Sequence, residues 1–188
     1  NIARLVSLID AAFASERRIC LVGRSVSMMV ECAKSLKMID ADLQLVDQRY
    51  VGYLPQKEVL VIATGSQGES GSGLSRLSMD THRHISLEKG DTVIFSSRTI
   101  PGNEGAVKTL RRRFVENEVT VIHAEDSGPA LHATGHACKA ELEAMYRLIR
   151  PRVVIPVHGD SGRLIENARI ASSVGVTNTL NGVNGDLF

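Results

Sequence analysis

The chain has 188 residues, 43% of them hydrophobic, and a formal net charge of +1. That length allows one sizeable domain or two small ones, and the near-zero net charge gives no evidence for or against a nucleic-acid partner. No apolar run approaches the roughly 18 residues of a membrane helix, and we expect no signal peptide because the first residues are already amphipathic.

Hydrophobic spacing predicts helices that alternate with short apolar strands. The predicted helices cover residues 1–17, 25–38, 74–80, about 104–115, 141–150 and 164–174, and the predicted strands cover 19–23, 43–46, 59–65, 91–97, 119–124 and 152–159. This alternation predicts an α/β fold with a parallel sheet and helices on both faces. Gly and Ser follow several strands, at the edge of the sheet where ligands bind in such folds.

Caps and cysteines add detail to this prediction. Ser25 and Asn103 are predicted to cap helix N-termini. Cys20 lies in an apolar strand and is expected in the core. The three cysteines form no CxxC pair, which disfavours a disulfide framework or a cysteine zinc site and favours a reducing cytoplasm. Because the chain begins at Asn1, we expect a fragment or a processed product.

Two glycine-containing stretches suggest phosphate binding. GSQGESGSG at residues 65–73 lacks both the lysine of a P-loop and GxGxxG spacing. Its backbone N–H groups could still meet a phosphate, so a structural turn and an anion contact both remain open. GNEGAVKT at residues 102–109 is more simply the start of a helix.

Several histidines have spacings that occur in metal sites. HRH at residues 82–84 is expected to be a solvated loop, and HATGH at 132–136 lacks the glutamate of a zincin. His136 and His158 each lie beside a glycine and flank a predicted helix–strand unit. His158 follows a predicted apolar strand, which would hold a metal ligand rigidly, and neutral imidazole is a good zinc ligand.

Several stretches, in order, resemble ribonuclease J, a β-CASP member of the metallo-β-lactamase nucleases. They are LVGRS at 21–25, TGSQGE at 64–69, LSRL at 74–77, GDTVIFSSRTIPGNE at 90–104, TGHA at 134–137, RP at 150–151, IPVHGD at 155–160 and NGDLF at 184–188. The resemblance covers essentially the whole chain. It implies a parallel-sheet β-CASP domain over residues 1–127, followed over 128–188 by the C-terminal α/β segment of a metallo-β-lactamase domain.

The resemblance also implies an activity for the intact protein: zinc-dependent exo- and endonucleolytic hydrolysis of RNA, in the 5′-to-3′ direction for the exonuclease. The family's HxHxDH metal motif is absent here, so we expect an inactive fragment in which the two-zinc site is incomplete. We expect RNA as partner, no membrane association, and a homo-oligomer for the intact protein. The alternative is a non-catalytic RNA- or nucleotide-binding α/β module.

Individual site roles follow from the same resemblance. Glu69 corresponds to the motif A acid, and His136 to the motif B histidine, which contacts the scissile phosphate or assists the leaving group. His158 corresponds to motif C and would be a zinc ligand. The candidate RNA- and phosphate-binding residues are Thr134, Gly135, His136, Ala137, Ser97 and Arg98.

Overall fold

The computed structural model describes residues 2–127, 131–132 and 136–187. The chain forms two compact units, Asn1–Ala133 and Thr134–Phe188. The domain boundary predicted after residue 127 stays a prediction, because a division by compactness does not by itself define a family domain. Among the described residues, no helix combines the length and apolar character needed to cross a membrane.

The first unit alternates helices with parallel strands. Its elements are α1 Ile2–Ala14, β1 Arg18–Val22, α2 Arg24–Ser35, β2 Leu45–Val46, β3 Val59–Ala63, α3 Gly73–Ser78, β4 Thr92–Phe95, α4 Glu104–Glu116, β5 Thr120–His123 and α5 Ala124–Ser127. One sheet has the strand order β2-β1-β3, and β4 pairs with β5; every pair is parallel. The predicted α/β class is therefore confirmed.

Strand β1 is buried on both faces. Ile19 and Leu21 pack with the buried residues of α1 and α2, whereas Cys20 and Val22 pack with those of α3, β4 and α4. Successive strand residues point to opposite sides of a sheet, so helices cover both faces of this strand. Cys20 is 0% exposed, which confirms its predicted place in the core.

The second unit is smaller. Its elements are α6 Lys139–Ile149, β6 Val153–Val154, α7 Ser161–Ser173 and β7 Asn178–Thr179. Strands β6 and β7 pair in parallel. Val154, Ala171 and Val176 form its small core, with Tyr146 packed against them. The Tyr146 hydroxyl donates to Asn167 Oδ1 at 2.5 Å, which ties α6 to α7.

The predicted strand over residues 152–159 is wrong in its extent, since only Val153–Val154 pair as a strand. Pro156 has no N–H to donate to a ladder, and the partner strand is itself only two residues long. Val157 is accordingly 75% exposed. The sequence does not predict strand β7 or the short helix α5, because elements of this length are too short to show a hydrophobic periodicity.

Of the two predicted helix caps, Ser25 is wrong, and Asn103 is right in its position but lacks the side-chain hydrogen bond. Ser25 lies inside α2, whose N-cap is Gly23, because the Ser27 N–H already donates to the Gly23 carbonyl at 3.2 Å. Asn103 occupies the N-cap position of α4, but its side chain makes no capping hydrogen bond there. Just before this cap, the Gly102 N–H donates to Glu104 Oε2 at 2.8 Å.

Candidate functional site

The two predicted site histidines come together in the second unit. The ring centroids of His136 and His158 lie 6.5 Å apart, with an angle of 23° between the ring planes. Both side chains are exposed. Two near-parallel imidazoles at this distance can contact the same ligand. The sequence predicts such an arrangement, with His136 at a phosphate and His158 at a metal ion.

His136 lies directly before helix α6, whose start is fixed by a local hydrogen bond. The Cys138 N–H donates to Glu141 Oε2 at 2.8 Å. This backbone hydrogen bond lowers the pKa of the Glu141 carboxyl. A carboxylate in the first turn also interacts favourably with the helix dipole. The segment that carries His136 therefore ends in a well-defined cap.

His158 lies on a bend between β6 and α7, not directly after a strand as the sequence predicts. Its backbone has φ 64°, in the left-handed region. Histidine is among the non-glycine residues found there more often than most. The bend leads into α7, where Asp160 Oδ1 accepts the Arg163 N–H at 3.0 Å. The support for His158 is therefore a capped helix start beside the short strand.

Two histidine rings alone supply too few donors for a zinc site. Over residues 2–127, 131–132 and 136–187, no three His, Cys, Asp or Glu side chains lie together in a way that could hold a metal ion. Imidazole nitrogen suits zinc, but zinc usually takes four ligands. The described residues therefore fit zinc in the kind of donor, and further donors would have to come from elsewhere.

In the first unit, Glu69 lies in the glycine-rich loop that follows β3. Its side chain is exposed, and its Oε2 accepts the Gln67 N–H at 3.0 Å. Between these two residues, Gly68 has φ +79°, and a Cβ there would lie 2.7 Å from the Ala106 Cβ on α4. The loop is thus packed closely on helix α4, and only glycine fits at the contact.

Gln67 connects this loop to the loop after β4. Its Nε2 donates to the Arg98 carbonyl at 3.0 Å, and its Oε1 accepts the Ile100 N–H at 2.9 Å. The Asn103 Nδ2 lies 3.5 Å from the same oxygen. Sequence reasoning missed this residue, and the only available signal was its place within TGSQGE.

Ser97 and Arg98 lie in that second loop, because β4 ends at Phe95. The Arg98 side chain is exposed. In the part of the chain that the structure describes, the Ser97 Oγ is a buried side-chain polar atom without a hydrogen-bond partner. Such atoms are uncommon, since most buried polar groups are paired.

The predicted residues are thus divided between the two units. Glu69, Ser97 and Arg98 belong to the first, and Gln67 joins their loops. His136, His158 and Ala137 belong to the second, where Ala137 is exposed. Thr134 and Gly135 lie outside the described residues.

Two family models match the chain. Residues 1–113 match the model described as ribonuclease J, beta-CASP domain. Residues 130–178 match the model described as Zn-dependent metallo-hydrolase RNA specificity domain. The first match covers more than half of the 188 residues.

Relatives named ribonuclease J are similar along the whole length of the chain. The protein of Sinorhizobium meliloti is 33% identical over 188 residues, which are 100% of this chain and 33% of the relative. That of Mycobacterium tuberculosis is 39% identical over 177 residues, 94% of this chain and 31% of the relative. That of Helicobacter pylori is 36% identical over 177 residues, 94% of this chain and 25% of the relative. The chain therefore spans about a quarter to a third of the length of these relatives, and it belongs to the ribonuclease J family of β-CASP proteins.

Proposed function

We propose that this chain supplies the β-CASP domain and the last part of the metallo-β-lactamase domain of a zinc-dependent ribonuclease. The intact enzyme would hydrolyse RNA phosphodiesters from a 5′ end and also internally. The observation that carries the proposal is the 6.5 Å approach of the His136 and His158 rings. It is supported by matches to a β-CASP model and a zinc-dependent metallo-hydrolase model.

His158 is the proposed metal ligand of this chain. Its imidazole is exposed, and a neutral ring nitrogen is a good zinc ligand. Bound zinc would polarise the phosphoryl group and activate water for attack. The left-handed bend and the Asp160 cap define the backbone from which the His158 ring extends.

His136 is the proposed proton donor and phosphate contact. An imidazole can donate a hydrogen bond to a phosphate oxygen or give a proton to the departing oxygen. The adjacent residues Thr134, Gly135 and Ala137 are proposed to bind the phosphate through their backbone N–H groups.

The strand-end loops of the first unit are proposed to contact RNA. The exposed Arg98 guanidinium can pair with a phosphate, as arginine does in many nucleic-acid interfaces. Ser97 is proposed as part of the same RNA-contacting loop; its Oγ is buried and has no hydrogen-bond partner among the described residues. Glu69 is proposed as the motif A acid. Cytoplasmic location and homo-oligomerisation of the intact enzyme belong to the same proposal and are supported by family membership alone.

The proposal is tested by comparing this chain with the full-length enzyme. Zinc content is measured by mass spectrometry, and cleavage is measured with end-labelled RNA that carries a 5′ monophosphate. We expect the full-length enzyme to hold zinc and cleave RNA, whereas this chain alone does neither because its ligand set is incomplete. Cleavage by the isolated chain would contradict the proposed division of the site.

The same experiment separates the alternative function. A non-catalytic RNA-binding module would bind RNA without metal, and its affinity would fall steeply with salt. That behaviour, together with a full-length protein that holds zinc but never cleaves RNA, would favour the binding module over the nuclease.

A further inference from the structure

We propose that Gln67 is a positioning residue that makes the Glu69 loop and the loop of Ser97 and Arg98 a single rigid unit. The inference rests on the proposed function, because the value of this rigidity lies in presenting both loops to RNA. None of the predicted site roles falls on Gln67.

The side-chain amide of Gln67 uses both of its ends. Nε2 donates to the Arg98 carbonyl at 3.0 Å, and Oε1 accepts the Ile100 N–H at 2.9 Å. The two partners lie on either side of Thr99. A residue in a parallel sheet likewise bonds to the carbonyl before and the amide after its neighbour. The Gln67 amide therefore pairs with this loop as one residue of a further strand would.

The backbone of Gln67 fixes the other loop. Its N–H donates to Glu69 Oε2 at 3.0 Å, and the next residue, Gly68, is packed against Ala106 of α4. One residue thus holds the Glu69 carboxylate through its main chain and the Arg98 segment through its side chain. Arg98 makes this contact through its backbone carbonyl, and its side chain is exposed.

Two substitutions separate the halves of this link. Gln67→Met keeps the length of the side chain and removes both hydrogen bonds. Gln67→Glu keeps an acceptor for the Ile100 N–H but replaces the donor to Arg98 with a second oxygen. The matched control is Gln44→Met, because Gln44 is exposed and its Nε2 donates within its own turn, to the Asp42 carbonyl at 2.9 Å.

Amide hydrogen exchange on this chain tests the link directly. We expect the Ile100 amide to exchange about fivefold faster or more in Gln67→Met, since one hydrogen bond is worth about 1 kcal/mol. The same amide should stay protected in Gln67→Glu and in Gln44→Met. Unchanged exchange at Ile100 in Gln67→Met would overturn the proposed link.

Kinetics of the full-length enzyme distinguish positioning from a purely structural role. We expect Gln67→Met to lower kcat by about tenfold to a hundredfold, because small displacements at a reacting centre cost that much. The folded fraction and melting temperature should stay close to those of Gln44→Met. A structural role alone would lower the melting temperature and leave kcat per folded molecule unchanged, which would contradict the proposal.

Failure of this inference is distinguishable from failure of the proposed function. If the unsubstituted full-length protein cleaves no RNA, the nuclease proposal fails, while the exchange result at Ile100 can still stand. If the unsubstituted enzyme is active and Gln67→Met has the same kcat, the positioning role fails and the nuclease proposal stands.

Discussion

The imidazole rings of His136 and His158 lie 6.5 Å apart and within 23° of parallel, although α6 and β6 separate them along the chain. Helix α6 and strand β6 bring the two ends of this segment together, so that the loop with His136 lies beside the bend with His158. This arrangement places two imidazole rings near each other on an exposed surface of the second unit.

Replacing His136 and replacing His158 should affect zinc content and kcat differently. In the full-length enzyme, we expect His158→Ala to lose zinc, whereas His136→Ala keeps zinc and loses about 100-fold or more in kcat, as for removal of a general acid. Zinc content and single-turnover RNA cleavage measure this difference. His82→Ala is the control, and it should change neither. Full zinc occupancy in His158→Ala would contradict the assigned ligand.

Gly68 and Gly71 form a matched pair in the same loop. Both have positive φ, +79° and +70°, but a Cβ at Gly68 meets Ala106 at 2.7 Å, whereas nothing lies within 4 Å of one at Gly71. We expect Gly71→Ala to cost about 1 kcal/mol of unfolding free energy from backbone strain alone. Gly68→Ala should cost roughly 2–4 kcal/mol, because α4 must also shift. Urea denaturation of the chain measures both, and equal costs would argue against the close packing.

The three cysteines should differ in reactivity. Burial, and then the nearby Asp47 carboxylate, raise the pKa of the Cys20 thiol to about 11. At pH 8 the thiolate fraction of Cys20 is therefore about one in a thousand, and the thiolate is the reactive form. We expect iodoacetamide to modify the exposed Cys32 and Cys138 and to spare Cys20. Mass spectrometry of peptides checks this, and the chain unfolded in urea should react at all three positions.

The start of α6 should depend on pH. The Cys138 N–H lowers the pKa of the Glu141 carboxyl below its ordinary value of about 4.3. The cap therefore stabilises the folded chain above that ordinary value, and its contribution is lost as the pH falls through the lower folded pKa. The amide nitrogen shift of Cys138 should follow this titration in NMR spectra. In Glu141→Gln the shift should no longer titrate; a persisting titration would mean that another group is responsible.

The sequence predicts the helices and the longer strands because their buried apolar residues recur at a regular spacing. The alternation along β1, where Ile19 and Cys20 pack on opposite faces, follows from strand geometry. Strand β6 is overpredicted because its partner β7 is only two residues long, and Pro156 could not donate to a longer ladder. The extent of a strand depends on a partner strand that a single segment does not contain.

The candidate site is only partly predictable for a similar reason. His136 and His158 are found because a helix–strand unit between two glycine-flanked loops tends to bring its ends together. Gln67 is not found, because its partners Arg98 and Ile100 lie in a different loop. Hydrogen bonds between distant loops leave no periodic trace in the sequence.

Because residue 158 has a left-handed backbone, the substitutions that the fold tolerates there differ from those that the reaction would tolerate. Glycine and asparagine adopt this conformation readily, whereas β-branched residues do so at a cost. In a saturation library at this position, abundance of folded protein should favour glycine and asparagine alongside the native residue. Selection for RNA turnover should retain histidine alone, so the two rankings would reveal which constraint comes from the chain and which from the chemistry.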